Sequence, residues 1–386
     1  MSASNTGDFF IGVDDGHYAI KIVAETGETF TVPSRGAIGK HLITLKGEDE
    51  GIFYETEEGQ TYTVSEFLPK FEDTRFLEYP RSQLNRVLVH DALRRAGYGG
   101  RNVRITTGLP VSYYYMPNGE KNQALIDSKV ANLRKRVTCG DLALANIAEN
   151  TVTTQAVAAF VDQLMGIDGT PSDDYEELTQ VPAGVIDVGG KTTDSAVLLP
   201  GMMVDSSRSG SNDVGVLMLV EAVSAKLRAH LDLDTALPAS AIERALRTGT
   251  VKIFGKDQSV QSIVDDEKER LADQIMSAVR TKVGSGADLD HVDHRDAHGD
   301  AAALHEARGA GDLEMPGLLR LHVVDQCDLR RGAAHVEGER TVDAVLGGED
   351  LRQDRTTRGP GFHQADRETP RRLDRGDAAR GHDQQQ

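Results

Sequence analysis

The most regular pattern in the chain is a pair of short apolar runs, each of which leads into an acidic residue and a glycine turn. Residues 185–188 form a β-branched apolar run bounded by turn residues, which predicts a buried strand, and residues 195–199 are predicted to return as its partner. Residues 9–13 and 19–24 repeat the arrangement near the start of the chain. The pattern therefore predicts two β-hairpins, one in each half of a duplicated protein.

The tips of both predicted hairpins carry residues that suit a phosphate group and its metal. Asp14 and Asp187 close the two first strands, where a carboxylate can order the waters of a magnesium ion. Glycine amides can approach an anion closely because glycine has no Cβ. The other candidate residues at the tips are Asp15, Gly16, His17, Tyr18 and Lys21 in the first hairpin and Gly189, Gly190, Lys191 and Thr192 in the second. Two unrelated plain turns are the alternative interpretation.

Helical periodicity predicts longer helices around these hairpins. In one of them, residues 153–164, a stripe of apolar residues is predicted to be buried, and threonines precede it as capping residues. Gln155 lies in the first turn, off that stripe. The other predicted helices are residues 82–96 with Gly97 as a cap, one that starts at Asp213, and one that starts at about Asp265. Ser240 and Glu243 have the spacing of a capping box.

Composition narrows the class of protein. The chain has 386 residues, enough for two domains, and a formal net charge of −18, which opposes direct binding of DNA. Its two cysteines, Cys139 and Cys327, are far apart, which argues against a disulfide framework or a zinc site and favours a reducing cytoplasm. The sequence shows no secretory pattern at its start and no run of about 20 apolar residues. These features predict a cytoplasmic protein without a membrane partner.

The sequence resembles a known family from about residue 8 to residue 292. The segments IGVDDGHYAIKIV and GVIDVGGKTTDSAVL resemble the two phosphate motifs of the actin, Hsp70 and sugar-kinase superfamily, and TTQAVAAFVDQL resembles the connecting helix of actins. The Asp14-Asp15-Gly16 opening and residues 104–138 are most similar to the plasmid-segregation actins of the ParM/StbA type. The resemblance implies an α/β fold, namely an actin-like, ribonuclease H-like duplicated two-domain ATPase fold.

The resemblance also implies a division of the chain. Residues 1–166 are predicted to form domain I, with a small β-rich insertion at about 30–72, and residues 167–182 are predicted to be a linker. Residues 183–292 are predicted to form an incomplete domain II, followed by an atypical tail at 293–386. The basic cluster of Lys129, Arg134, Lys135 and Arg136 could indicate nucleic-acid binding, but because it is short and the protein is acidic, a solvated helix face or a filament contact is favoured.

Through the resemblance, each candidate residue receives an expected role towards ATP and Mg²⁺. Asp14 and Asp187 would organise the metal through water, and Gln155 would position the hydrolytic water, with Asp187 as the second catalytic residue. His17 replaces the small hydroxyl residue common in related proteins and would crowd the γ-phosphate. Asp213 and Gly215 are expected near the nucleotide, and the remaining tip residues would hold phosphates. The expected partners are further copies of the chain in a filament, a centromere-binding adaptor and, only indirectly, plasmid DNA.

The sequence leaves two other functions open. A small-molecule kinase of the same superfamily would need a carboxylate that activates the acceptor, and the sequence shows no clear candidate. A non-catalytic remnant is the other alternative, because a segment with the Gly-Gly-Gly adenosine loop of the family is missing after residue 292. In that case the chain would fail to bind nucleotide.

The composition changes abruptly beyond residue 292. Residues 291–386 contain no Lys, Ile, Asn, Ser or Tyr but hold eight of the twelve histidines. Since codons for Lys, Ile, Asn and Tyr are rich in A and T, their joint absence predicts a GC-rich gene read in the wrong frame from about codons 292–294. The alternative is a histidine-rich metal tail, although the histidines lack ligand spacing. With few apolar residues, the tail is predicted to be irregular or disordered.

Overall fold

The computed structural model describes residues 8–41, 53–166 and 169–289. The predicted tail, Cys327 and part of the predicted linker lie outside these residues. The strands are β1 (Phe9–Asp15), β2 (Ala19–Ala24), β3 (Thr29–Pro33), β4 (Gly36–Ile38), β5 (Phe53–Thr56), β6 (Thr61–Val64), β7 (Asn102–Leu109), β8 (Val137–Thr138), β9 (Asn146–Thr154), β10 (Ala183–Val188), β11 (Thr193–Leu199), β12 (Met203–Val204), β13 (Gly210–Asn212), β14 (Thr250–Ile253) and β15 (Lys256–Ser259).

Eight α-helices surround the sheets of the described part of the chain. They are α1 (Gln83–Leu93), α2 (Val111–Tyr114), α3 (Gln123–Leu133), α4 (Gln155–Leu164), α5 (Tyr175–Gln180), α6 (Val216–His230), α7 (Ala239–Thr248) and α8 (Gln261–Val283). None of the described helices is long and apolar enough to cross a membrane.

Two mixed α/β halves carry the two predicted hairpins. In the first half the strand order is β3-β2-β1-β7-β9, with β1 and β2 antiparallel and β7 and β9 parallel to β1. In the second half β10 and β11 form the matching antiparallel pair, and β12 and β13 both pair with β11. A small sheet, β4-β6-β5-β8, lies beside the first. Among residues 169–289, no strand pairs with the free edge of β10.

Separate apolar cores hold the two halves. Residues of β1, β2 and β7 pack against α1 in the first core, and β10 and β11 pack against α6, α7 and α8 in the second. Helix α4 contributes Ala156, Phe160 and Leu164 to a third cluster with strands β10 and β11. The helix that follows β9 therefore packs against the second sheet, which places its first turn between the two hairpins.

Several predicted boundaries differ from the structure for local reasons. Helix α4 starts at Gln155 because β9 continues to Thr154, whose hydroxyl then accepts a hydrogen bond from the Val157 amide at 3.3 Å. Helix α6 starts at Val216, three residues after the predicted start at Asp213, and α8 starts at Gln261. Helix α1 ends at Leu93 and continues as a π-helical turn, Arg94–Tyr98, in which Gly97 has a φ of +93°.

Two predictions about individual polar residues are wrong. The capping box does not form, because Pro238 precedes α7, no side chain caps that helix, and Glu243 reaches across to Tyr18. Lys129 is not on a solvated face: its side chain is 1% exposed and contacts a carboxylate in the first hairpin.

Candidate active site

The tips of the two hairpins face each other across a cleft. A Cβ on Gly190 would lie 2.8 Å from the Tyr18 backbone nitrogen, so the approach of the tips requires glycine at this position. Residues from β7, α3 and α4 complete the walls. The cleft is lined by Asp15, Gly16, His17, Tyr79, Pro80, Gly108, Leu109, Pro110, Lys129, Gln155, Asp187, Gly189, Gly190, Lys191, Thr192 and Asp194. The fold thus brings together most of the residues predicted from the tips.

Asp14 and Gln155 meet beneath the first tip. The Gln155 Nε2 atom donates to Asp14 Oδ1 at 3.3 Å. Asp14 is 2% exposed, and its other oxygen, Oδ2, accepts no hydrogen bond from any described residue. Burial raises the pKa of Asp14 to about 7, opposed by Lys21, which stands opposite it on β2, and reinforced by Asp15. This carboxyl therefore gains strongly from a cation that would share its charge.

The backbone of the first tip lies directly beside the Asp14 carboxylate. A Cβ on Gly16 would lie at an ordinary contact distance, 3.5 Å, from both oxygens of Asp14. The Gly16 carbonyl is fixed by hydrogen bonds from the Ser34 hydroxyl at 2.7 Å and the Tyr79 hydroxyl at 3.3 Å. Asp14, with one oxygen that accepts no hydrogen bond, fits a magnesium ion held through water. Among the described residues, no three His, Cys, Asp or Glu side chains group as direct metal ligands.

His17 lies in the wall of the cleft as an uncharged ring. The ring stacks on Tyr79 with centroids 4.8 Å apart, and Nδ1 is 2.8 Å from the Thr74 carbonyl oxygen. Burial lowers the pKa of His17 to about 4, and the neighbouring Lys191 acts in the same direction. His17 is therefore neutral at pH 7 and contributes no positive charge to a bound phosphate.

The second tip is held by its own backbone and by the start of α6. The Gly189 amide donates to the Thr192 carbonyl at 2.8 Å, so it is used within the turn. The Val216 and Leu217 amides donate to the Gly189 and Gly190 carbonyls at 3.1 and 2.9 Å. These bonds dock the first turn of α6 on the hairpin backbone.

The remaining candidates of the second half have different surroundings. A Cβ on Gly215 would lie 2.5 Å from the Gly190 carbonyl oxygen, so this glycine packs against the tip rather than lining the cleft. The Asp213 side chain is 81% exposed and 3.7 Å from the Lys191 ammonium. Lys191 is also bonded to the Tyr113 hydroxyl at 3.2 Å, which links the tip to α2.

Two charged residues of the cleft were not predicted. Lys129 bonds both oxygens of Asp15 at 2.7 and 2.6 Å, and Asn85 also donates to Asp15 at 2.8 Å. Asp15 was expected to contact the nucleotide, but its carboxylate is engaged by these two side chains. Asp194, which is also buried, accepts hydrogen bonds from the Val111 amide and the Thr192 hydroxyl at 3.1 and 3.0 Å.

Asp194 connects the second hairpin to the first half of the chain. Burial raises the pKa of Asp194 to about 6, and hydrogen bonds from Ser211, Thr192 and Val111 oppose the rise. Its position in the GGKTTD segment could have singled it out, since an acidic residue that points inward from a predicted strand needs donors.

A second contact between the halves lies beside the first tip. Arg35, 6% exposed, forms an ion pair with Glu243 of α7, and Glu243 also accepts a hydrogen bond from the Tyr18 hydroxyl at 3.1 Å. Glu221 of α6 forms a more exposed ion pair with Arg75. Arg35 follows β3 and Arg75 follows β6, so the two pairs join two segments of the first half to the helices of the second half.

These two ion pairs allow the stability contribution of a buried pair to be compared with that of an exposed pair. Glu243→Ala is expected to lower the free energy of unfolding by on the order of 3 kcal/mol, because it leaves the buried Arg35 guanidinium without its carboxylate. Glu221→Ala, the control, is expected to cost less than about 1 kcal/mol because that pair is exposed to solvent. Urea unfolding measures both, and equal losses would contradict the role given to burial.

The two-half fold with facing hairpins defines an actin-like protein. Residues 9–165 match the family model described as plasmid segregation protein ParM, N-terminal, and residues 185–293 match the model described as archaeal actin homologue MreB-like, C-terminal. The two matches cover both halves of an actin-like fold, and the first half matches the ParM family, as the sequence resemblance predicted. The second match ends at residue 293, where the composition changes.

Solved structures share this fold at low sequence identity. The archaeal actin homologue Ta0583 is 18% identical, with a TM-score of 0.59, over 84% of this chain and 98% of that chain. Its complex with ADP matches with a TM-score of 0.53 and 19% identity over 71% and 81%. A 15-stranded ParM filament from Clostridium botulinum matches with a TM-score of 0.55 and 17% identity over 72% and 84%. Comparison with curated proteins gives no match.

Proposed function

We propose that the chain binds Mg²⁺-ATP between the two hairpins, hydrolyses it, and assembles into filaments that segregate plasmid DNA in the cytoplasm. One observation carries the nucleotide part: the Asp14 carboxylate is buried beneath the first tip, with an unsatisfied oxygen and a glutamine amide on its other oxygen. Self-assembly and the link to DNA through an adaptor follow from the family. ParM filaments and an ADP complex among proteins of the same fold support the proposal.

Each part of the site has a distinct role in this proposal. Asp14 and Asp187 hold the metal through water, and the metal supplies charge neutralisation on the phosphates. Lys191 and Thr192 hold phosphate oxygens at the second tip, and Gly16, Tyr18 and Lys21 do so at the first. The neutral His17 ring closes the wall beside the terminal phosphate.

We also propose that the domains of the chain are divided at residues 166, 182 and 292, with the small insertion at about 30–72.

The test is a fluorescent-ATP titration with and without magnesium. Saturable binding that needs magnesium and that Asp187→Ala weakens at least about tenfold would support the site, and a pelleting assay with ATP would then test assembly. Absence of magnesium-dependent binding would remove the nucleotide proposal. The same titration with added sugars and a phosphate-transfer readout distinguishes a small-molecule kinase.

A non-catalytic remnant is the second candidate function. One observation favours it: the edge of β10 has no strand partner among residues 169–289, whereas β1 in the first half pairs with β7. A strand lost to a shifted reading frame would leave that edge. Translation of the coding DNA in the other two frames would show an apolar strand and a triple glycine after residue 292 if the frame is shifted, and their absence would refute the shift.

Gln155 should affect hydrolysis and leave binding unchanged. Gln155→Ala is expected to slow phosphate release about 100-fold, because the amide no longer orients the attacking water, while the affinity for fluorescent ATP stays within about threefold. Gln163→Ala, at the other end of α4, is the matched control and should change neither value. A Gln155 variant with a normal rate of phosphate release would contradict this role.

A further inference from the structure

Lys129 is among the largest fully buried side chains of the described residues, and its ammonium lies inside the candidate site. Its Nζ atom donates to Asp15 Oδ1 at 2.7 Å, to Asp15 Oδ2 at 2.6 Å and to the Gly108 carbonyl oxygen at 2.9 Å. A lysine ammonium has three hydrogen-bond donors, and three acceptors surround this one. A lysine without solvent contact is rare unless it is paired in this way.

The two partners of Lys129 belong to the elements that hold Asp14 and Gln155. Asp15 follows Asp14 at the end of β1. Gly108 lies near the end of β7, and a Cβ on it would lie 2.5 Å from Gln155 Cγ, so the Gln155 side chain rests on the Gly108 backbone. Since Gln155 in turn donates to Asp14, the contacts form a closed ring that runs from Lys129 through Asp15, Asp14, Gln155 and Gly108.

This ring has an electrostatic consequence for Asp14. The adjacent Asp15 carboxylate raises the pKa of Asp14, and Lys129 lowers it. Without Lys129 the carboxylates of Asp14 and Asp15 would be neighbouring like charges, with Lys21 as the cation opposite Asp14 on β2. Lys129 therefore compensates the charge of Asp15 next to Asp14.

We propose that Lys129 is a positioning residue for ATP hydrolysis, which fixes Gln155 against Asp14 through the Gly108 carbonyl and compensates the charge of Asp15. The inference rests on the proposed function, because it assigns Lys129 a role in the same site. The role of Lys129 goes beyond charge compensation, since an ion pair with Asp15 alone would not require the bond to Gly108. The nucleotide itself needs no contact with Lys129.

A single substitution cannot separate this role from stability, because an uncompensated buried Asp15 is strongly destabilising. We therefore compare Lys129→Met with the double variant Asp15→Asn/Lys129→Met, which removes both charges together and keeps an acceptor for Asn85. Lys135→Met is the matched control, since Lys135 is half-exposed and pairs with Glu58 at the surface. Thermal melting confirms which variants are folded.

Two measurements test the inference on the folded variants. In the double variant, the affinity for fluorescent ATP is expected to stay within about threefold, while single-turnover phosphate release slows at least about tenfold. Lys129→Met is expected to melt at a lower temperature than the double variant, because it leaves the buried Asp15 without its cation. Lys135→Met should match the parent in both measurements.

The outcomes distinguish the inference from the proposed function. A double variant that releases phosphate at the parent rate would reduce Lys129 to charge compensation and overturn the inference, with the function intact. A parent protein that binds nucleotide but releases no phosphate would instead contradict the proposed hydrolysis, and one that binds no nucleotide would remove both.

Discussion

Asp14→Asn is expected to stabilise the nucleotide-free protein at pH 8 and to abolish magnesium-dependent turnover. Asp14 is buried, and its pKa is raised to about 7 in the folded state from an ordinary value of 3.8. Between these two values the folded state binds a proton that the unfolded state has lost. The contribution of this carboxyl to the free energy of unfolding therefore falls as pH rises from about 4 to about 7 and remains lost above pH 7.

The size of the effect follows from the same shift. The difference corresponds to on the order of 4 kcal/mol at pH 8, and a neutral asparagine avoids this cost. For a chain of this size that amounts to a thermal midpoint higher by roughly 8 °C or more. At pH 4 the aspartic acid is protonated in the folded state and about half protonated in the unfolded state, so the difference is small and the parent and the variant should melt at similar temperatures.

An aspartate with the opposite shift provides the control. Asp205 accepts hydrogen bonds from Ser207 and Arg208, which lower its pKa to about 2. Asp205→Asn should therefore leave the protein less stable at pH 8, and the loss should shrink as pH falls towards 2. Thermal melting at pH 4 and pH 8 measures both variants. A lower melting temperature for Asp14→Asn at pH 8 would show that Asp14 stabilises the fold and does not strain it.

Turnover should change in the other direction. The ionised Asp14 is the form that can order a metal-bound water, and asparagine lacks that charge. Parent turnover should accordingly rise with pH through about 7, and Asp14→Asn should show no magnesium-dependent phosphate release at any pH. We therefore expect Asp14→Asn to be more stable but inactive, because the negative charge of Asp14 is needed for function although its burial destabilises the fold.

The elements of the site could be predicted from the sequence because their signals are local. The run at residues 185–188 lies inside β10, and residues 195–199 lie inside β11. The repeated acid and glycine at the tips indicated a duplicated fold, which the comparisons confirm. Gln155 was placed in the first turn of its helix by the threonines and apolar positions that surround it.

The long-range pairs could not be predicted from the same patterns. Lys129 and Asp15 are 114 residues apart, and Lys129 sits among polar residues and other cations, which is also the pattern of a solvated face. Glu243 has the spacing of a capping box, but its partners, Tyr18 and Arg35, are more than 200 residues away. Charged residues are assigned to the surface by default, and only tertiary contacts show which of them are buried with a partner.

The packing of Gly215 could not be predicted from the sequence either, because it depends on a close approach between backbones. The resemblance placed Gly215 near the nucleotide. In the structure it faces the backbone of the second tip, where an added Cβ would lie 2.5 Å from the Gly190 carbonyl oxygen, 2.6 Å from the Lys191 carbonyl carbon and 2.7 Å from the Gly189 carbonyl oxygen. All three atoms are backbone atoms, so no rotation of a side chain relieves the contact.

Gly215→Ala is therefore expected to disturb both stability and nucleotide binding. Either the start of α6 or the second tip must move, which breaks the bonds from the Val216 and Leu217 amides to the tip carbonyls. We expect a loss of about 3 kcal/mol in the free energy of unfolding, typical of an overpacked interior. Because Lys191 and Thr192 shift with the tip, the affinity for fluorescent ATP should fall on the order of tenfold to 100-fold.

Gly184→Ala is the control, because Gly184 is also closely packed but its neighbour is a side chain and not the backbone of the tip. A Cβ on Gly184 would lie 2.9 Å from Leu289 Cδ1, which is the end of a flexible side chain that can rotate away. The same substitution in β10 should therefore cost less than about 1 kcal/mol and leave the affinity for nucleotide unchanged. Urea unfolding and the fluorescent-ATP titration compare the two variants. If Gly215→Ala binds nucleotide as tightly as Gly184→Ala does, the second tip is not held in place by α6, and the tip geometry must then be maintained by the β10–β11 hairpin alone.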